Sequence, residues 1–74
     1  MNQEQRGKHM FVQTYLSRAI KESTGGEVDR LAFEVRENGE EFVKVLFASG
    51  SSINVCVTAD SLHAILMDVG RALT

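Results

Sequence analysis

Apolar residues recur with a helical period between Met10 and Ser23. On a helical wheel they fill one arc while polar residues fill the opposite arc, as in an amphipathic helix. The apolar arc consists of Phe11, Val12, Tyr15, Leu16, Ala19 and Ile20. The glycines of "STGGE" favour a helix end, because glycine readily adopts the left-handed conformation found there. The pattern predicts a first helix over 10–23, and we expect the polar residues 1–9 to fray.

Three shorter runs with a period of two follow, "VDRLAFEVR", "EFVKVLFA" and "SINVCV", and each predicts a β-strand. The period then becomes helical again, with an apolar arc of Leu62, Ile65, Leu66, Val69, Ala72 and Leu73. Thr58 is placed to cap this last helix, and Asp60 suits its first turn. Val57 and Leu62 are spaced as a hydrophobic staple. The predicted order is helix, strand, strand, strand, helix.

The parity of the apolar residues sets the register of the strands. A loop of residues 37–39 pairs Phe33 with Val43, whereas a two-residue turn would put a lysine on the apolar face. The same reasoning makes residues 48–50, in "ASGSS", a turn between strands. A phosphate-binding loop would instead lead into a helix. Each turn is predicted to end in a glycine with positive φ.

With these registers, one face of the sheet is entirely apolar, and the two helices can cover it. This face consists of Leu31, Phe33, Val35, Val43, Val45, Phe47, Ile53, Val55 and Val57. The predicted fold class is α+β, a two-layer α-β-β-β-α arrangement with both helices packed on one face of a three-stranded antiparallel meander. At 74 residues the chain is expected to form one small domain, 1–74.

Two surfaces of this arrangement have nothing to cover them. The open sheet face carries an interaction face of Ala32, Phe42, Lys44, Leu46 and Cys56. The third strand lies at a sheet edge, and its residues Ile53, Asn54 and Val55 carry none of the charges or prolines that protect natural edges. Two alternatives remain open: exposed apolar residues are common on monomers, and the N-terminal arm could lie over the edge.

Charge is distributed unevenly, although the net charge is only −2. The first 21 residues hold four basic residues against one acid, whereas residues 22–41 hold seven acids against two basic residues. Glu37, Glu40 and Glu41 gather at the first hairpin. This acidic hairpin is either a solvated tip or a prong for a basic partner.

Little in the sequence could carry out catalysis. Cys56 is the one thiol, so no internal disulfide can form, which favours a reducing, cytoplasmic location. A Cys–His nucleophile would need His63 beside it, and the spacing gives no reason for that. The histidines and cysteine are too few for a closed zinc site, and no apolar run approaches the ~20 residues of a membrane span. We therefore expect no enzyme activity, no cofactor, no metal and no membrane span.

The element order resembles that of the double-stranded RNA-binding domain. This resemblance implies nucleic-acid binding through basic side chains, for which the chain offers Arg18, Lys21, Arg30, Arg36 and Lys44. Two features depart from the family: the last helix opens with "TADSLHAIL", which has no lysine, and the first hairpin is acidic. Size and order are also similar to those of small inhibitor proteins of phages and mobile elements.

The sequence therefore predicts a small non-enzymatic protein-interaction module that self-associates as a homodimer or binds another protein. The contact would be the open sheet face or the edge of the third strand. Nucleic-acid binding is the alternative, and the acidic balance argues against it.

Overall fold

The first helix is a continuous N-terminal rod that begins before the apolar pattern does. In the structure, a computed structural model that describes all residues 1–74, α1 spans Gln3–Met10, a π-helical segment spans Phe11–Leu16 and α2 spans Ser17–Ser23. A capping box fixes the start: Asn2 accepts the Gln5 N–H at 2.8 Å, and the Gln5 side chain accepts the Asn2 N–H at 3.1 Å. The residues that we expected to fray are therefore helical.

The π-helical segment places Val12 and Leu16 in the core. Its wider turn closes with a bond from the Ser17 N–H to the carbonyl of Val12, one residue further back than in an α-helix. The rod ends where "STGGE" predicts, because Gly25 and Gly26 adopt φ of 63° and 87°.

Three antiparallel strands follow as a meander in the order β1-β2-β3. β1 spans Val28–Val35, β2 spans Glu41–Phe47 and β3 spans Ser52–Cys56. The predicted register is confirmed, since Phe33 lies opposite Val43 and the apolar set stays on one face. The same parity holds from Arg30 onward, but an irregularity between Val28 and Arg30 shifts the register, so that Val28 lies opposite Phe47 and is buried.

Both connecting turns end in a glycine in the left-handed region. Gly39 has φ of 89° and Gly50 has φ of 96°. In each turn the glycine N–H bonds at 2.9 Å to the carbonyl three residues earlier, that of Arg36 or Phe47. The stretch "ASGSS" is therefore a turn between strands, as predicted.

The last helix, α3, spans Leu62–Ala72 and is capped by Ser61. The prediction that Thr58 caps it is wrong, because Thr58 faces β2 and its hydroxyl accepts the Glu41 N–H at 2.9 Å. Between the strand and the cap, Ala59 has φ of 63°, a left-handed conformation that alanine rarely adopts. The loop therefore turns sharply before the helix begins.

Both helices pack on the same face of the sheet, which confirms the predicted two-layer α+β fold. The buried core consists of Val12, Leu16, Val28, Leu31, Phe33, Val43, Val45, Val57, Ile65 and Val69. β3 contributes none of these residues, so it is the least covered strand of the sheet. Neither helical rod is long and apolar enough to cross a bilayer.

Candidate interaction surface

The outer edge of β3 presents backbone groups that have no partner within the chain. The Val57 N–H, directly after the strand, donates to the Glu41 carbonyl of β2 at 2.9 Å. Antiparallel ladders bond alternate residues, so the odd-numbered residues of β3 face β2. Ser52, Asn54 and Cys56 therefore direct their N–H and C=O groups away from the sheet, and no side chain reaches these groups.

The opposite edge of the sheet, on β1, is closed by side chains of the N-terminal rod. The Leu31 N–H donates to Ser17 Oγ at 2.9 Å, and the Phe33 N–H donates to Gln13 Oε1 at 3.1 Å. The two acceptors are four residues apart, about one helical turn, and the two donors are alternate residues of the strand. The spacing along the helix therefore matches the spacing along the strand edge. Sequence reasoning placed both on the solvent-facing arc of the helix and missed this role. The sheet thus has one capped edge and one bare edge.

Apolar side chains beside the β3 edge remain exposed. Ile53, on the helix-covered face, is 39% exposed, and Leu62 and Leu66 of α3 are 45% and 39% exposed. Sequence reasoning assigned all three to the covered apolar set and Leu62 to a staple with Val57. The staple fails because the helix begins later than predicted. We call Ile53, Leu62 and Leu66 the edge strip.

The geometry of α3 explains why this flank is uncovered. Ile65 and Val69 point into the core. Asp68, on one side of them, meets the loop that precedes the helix, next to α1. Successive residues turn by about 100°, so Leu62 and Leu66 lie on the other side. Leu62, at the start of the helix, also lines a shallow cleft with Gln3 and Gly7 of α1.

The open sheet face is less exposed than the sequence suggests. Its half-buried residues are Ala32, Phe42, Lys44 and Leu46. Phe42 lies directly opposite Cys56, as predicted, and Cys56 is exposed. The Arg36 guanidinium lies over the Phe42 ring, with its carbon 4.0 Å from the ring centroid. The largest side chain of this face therefore already has a partner.

Glu41 does not belong to the exposed acidic hairpin. Lys8 Nζ lies 2.8 Å from Glu41 Oε1, and the two side chains are only 5% and 7% exposed. The Ala59 N–H donates to the same oxygen at 3.1 Å. Glu41 falls in the same alternating positions as the apolar residues of β2. This alternation already indicates that its side chain points toward the helix-covered face of the sheet. Glu37 is exposed and Glu40 half-buried, so two acids remain at the hairpin.

The contacts of Glu41 lower the pKa of its carboxyl below 4.5. Burial by itself raises this pKa, but the hydrogen bonds with Lys8, with the Gln5 side chain and with the Ala59 N–H outweigh it. The carboxylate thus ties α1 to β2 and to the loop before α3. Lys8, which the sequence reasoning did not use, is a structural residue.

The loop before α3 contains a second acidic contact. The pKa of Asp60 is raised above 3.8 by a hydrogen bond with the Asp68 carboxyl, by burial and by the neighbouring negative charge. One Asp60 oxygen, Oδ2, is buried without a hydrogen-bond partner. Asp68 also pairs with Arg71 at 3.0 Å. Asp60 precedes the helix, so its predicted place in the first turn is wrong.

Neither the thiol nor the imidazoles form a recognisable reaction centre. Cys56 Sγ lies 3.5 Å from Thr58 Oγ1, and His63 is exposed on α3. No group of three or more histidine, cysteine or acidic side chains has the geometry to hold a metal ion. The free β3 edge and the edge strip are the candidate interaction features of this surface.

The basic residues that the RNA-binding resemblance requires are partly engaged elsewhere. Lys21 pairs with Asp29 at 3.7 Å, and Arg36 covers the Phe42 ring. Comparison of the chain with protein-family models, with curated proteins and with solved structures finds no match in any of the three.

Proposed function

We propose that this chain is a small non-enzymatic protein-interaction module that self-associates by pairing the free edge of β3 with a strand of its partner. One observation carries the proposal: the two sheet edges differ. The β1 edge donates to Gln13 and Ser17, whereas the outward groups of β3 have no acceptor or donor. Bare strand edges recruit further strands, because pairing satisfies their N–H and C=O groups.

Exposure favours the edge over the open sheet face. Phe42 is half-buried beneath Arg36, whereas the three side chains of the edge strip are between 39% and 45% exposed. Full burial of an exposed apolar side chain contributes about 1.5–3 kcal/mol, so covering the 39–45% of each side chain that remains exposed would contribute about 0.6–1.4 kcal/mol. A 74-residue domain has a modest core and gains stability from association. We place the module in the cytoplasm, where the lone exposed thiol of Cys56 would remain reduced.

Asn54→Pro tests the proposal at the centre of the edge. The Asn54 N–H points away from β2, so proline removes an edge donor without breaking the β2–β3 ladder. Asn54→Ala is the matched control, because it removes the side chain and keeps the N–H. In sedimentation at tens of micromolar, we expect the unaltered chain and Asn54→Ala to associate. Asn54→Pro should be monomeric with an unchanged circular dichroism spectrum.

Phe42→Glu separates the two candidate surfaces, because it alters the open sheet face and leaves the edge intact. We expect this variant to associate like the unaltered chain. If it becomes monomeric while Asn54→Pro still associates, the open sheet face is the contact. A monomeric unaltered chain at the same concentrations would show that self-association is wrong.

A further inference from the structure

We infer that the partner is a second copy of this chain, that the two β3 strands pair antiparallel about a two-fold axis at Asn54, and that the assembly closes at two copies. The inference rests on the proposed function and adds the register and the stoichiometry. It would produce one continuous sheet with three strands from each copy.

The register follows from the direction of the backbone groups. In an antiparallel ladder, a residue whose groups face the partner must lie opposite another such residue. An axis at Asn54 satisfies every outward group of β3, because Asn54 faces its own counterpart and Ser52 faces Cys56 of the second copy. With the axis at Ile53, no residue of the partner's β3 lies opposite Cys56. With the axis at Val55, none lies opposite Ser52.

The composition of β3 suits pairing with itself. Its sequence, "SINVC", has no charged side chain, so a second copy brings no like charges into opposition. β1 differs, since Asp29, Arg30 and Glu34 are exposed along it. Among the strands of this sheet, β3 is therefore the one that can pair with an identical strand without electrostatic cost.

The same axis brings the two edge strips together. A two-fold axis perpendicular to the sheet keeps both helical layers on one face. Ile53 then lies opposite Val55 of the second copy, on the helix-covered side. Because α3 packs against β3, the pairing also brings the two α3 helices toward each other. Pairing thus covers Ile53, which a single copy leaves 39% exposed.

The capped β1 edge explains why the assembly stops at two copies. After pairing, the only remaining edges of the sheet are the two β1 strands. Their Leu31 and Phe33 N–H groups already donate to Ser17 and Gln13. A third copy finds the two central donors of this edge already engaged by side chains of the N-terminal rod, which disfavours a further strand there. We therefore infer that the contact is isologous and closed and does not propagate as a filament.

Disulfide trapping reads the register directly. In the proposed pairing the two Asn54 positions lie about 5.5 Å apart, within the range that a disulfide spans. The two native Cys56 positions are about 14 Å apart, because they are displaced four residues along the strands. Under mild oxidation we expect Asn54→Cys/Cys56→Ser to become a covalent dimer on a non-reducing gel. The unaltered chain should remain uncrosslinked, and Ser52→Cys with native Cys56 should crosslink.

The outcomes separate the two levels of the proposal. A monomer in sedimentation overturns the proposed function and the inference with it. A dimer in which native Cys56 crosslinks, and the Asn54→Cys variant does not, overturns the register and leaves the proposed function standing. A complex that forms only with an unrelated protein overturns self-association, and with it both the proposed function and the inference.

Uncapping the β1 edge tests the closure. Gln13→Ala/Ser17→Ala frees the N–H groups of β1, and we expect species heavier than a dimer that grow with concentration. Thr14→Ala is the matched control on the same helix, because Thr14 is exposed and makes no bond to the strand. The single variants serve if the double variant does not fold. A folded uncapped variant that remains a dimer overturns the closure argument.

Discussion

Removing Lys8 should destabilise the fold far more than the loss of a surface charge would. The Lys8–Glu41 pair is 2.8 Å long, and both side chains are almost fully buried. Lys8→Met keeps a chain of similar length and leaves the Glu41 carboxylate without its cation. Breaking a buried pair by removing one partner costs about 3–5 kcal/mol. We expect about 3 kcal/mol at neutral pH, since the Ala59 N–H still donates to Glu41.

This loss is large for so small a chain. Typical stabilities per residue give roughly 4–11 kcal/mol for 74 residues. The cost should shrink as the pH falls. In the unaltered chain the pKa of Glu41 is lowered, so its contribution is present above 4.5 and is lost as the pH falls through the folded value. In Lys8→Met, burial raises this pKa, so the penalty grows with rising pH and disappears when Glu41 is protonated.

Urea denaturation followed by circular dichroism measures the effect, at one fixed protein concentration because association also contributes to stability. Lys8→Met/Glu41→Gln is the matched control: it removes both charges and keeps an oxygen for the Ala59 N–H. We expect it to recover at least half of the loss. A cost for Lys8→Met below about 1 kcal/mol, the range of exposed pairs, would refute the reasoning. A cost that stays equal between neutral and acidic pH would refute it as well.

Four further substitutions test the loop before α3 and the turns. Asp60→Asn should stabilise the fold increasingly as the pH rises, because the contribution of Asp60 is present below 3.8 and lost as the pH passes its raised pKa. Melting temperatures with the same pH dependence in both chains would contradict this. Gly39→Ala and Gly50→Ala should each lower the unfolding free energy by about 1 kcal/mol through backbone strain alone, since an added Cβ meets nothing within 4 Å. Ala59→Gly should raise it by about 1 kcal/mol for the converse reason, and a change of the opposite sign in urea denaturation would count against it.

The sheet could be predicted from the sequence because its register depends on parity. From Leu31 onward alternate residues of the strands are apolar, with Glu41 the exception, so a slip of one residue would move Lys44 to the apolar face. The glycines of the two turns added an independent signal, since only glycine readily adopts the φ of 89° and 96° found there. Local chemistry and the apolar pattern agree at these positions, and the registers follow from them.

Other features depend on contacts that periodicity does not record. The residues of α1 have no apolar arc, because α1 packs through Lys8. The capping pattern of Asn2 and Gln5 is nevertheless visible in the sequence and indicates where the helix begins. Gln13 looks like a solvent-facing residue until the strand edge is placed beside it. Periodicity also does not show how much of the apolar arc of a helix is covered by the sheet. Leu66 belongs to the apolar arc of α3 and stays exposed, because the sheet ends beneath it.

Both edges of the sheet have outward backbone groups, and the N-terminal rod reaches only one of these edges. It runs along β1 and supplies Gln13 and Ser17 to that edge, whereas α3 packs against β3 without bonding to its outward backbone groups. Pairing two copies through β3 would leave two β1 edges whose central N–H groups are already bonded. Under the proposed arrangement, substitutions in the edge strip change the affinity of the contact. Substitutions at Gln13 and Ser17, which lie outside the contact, change the number of copies that can assemble.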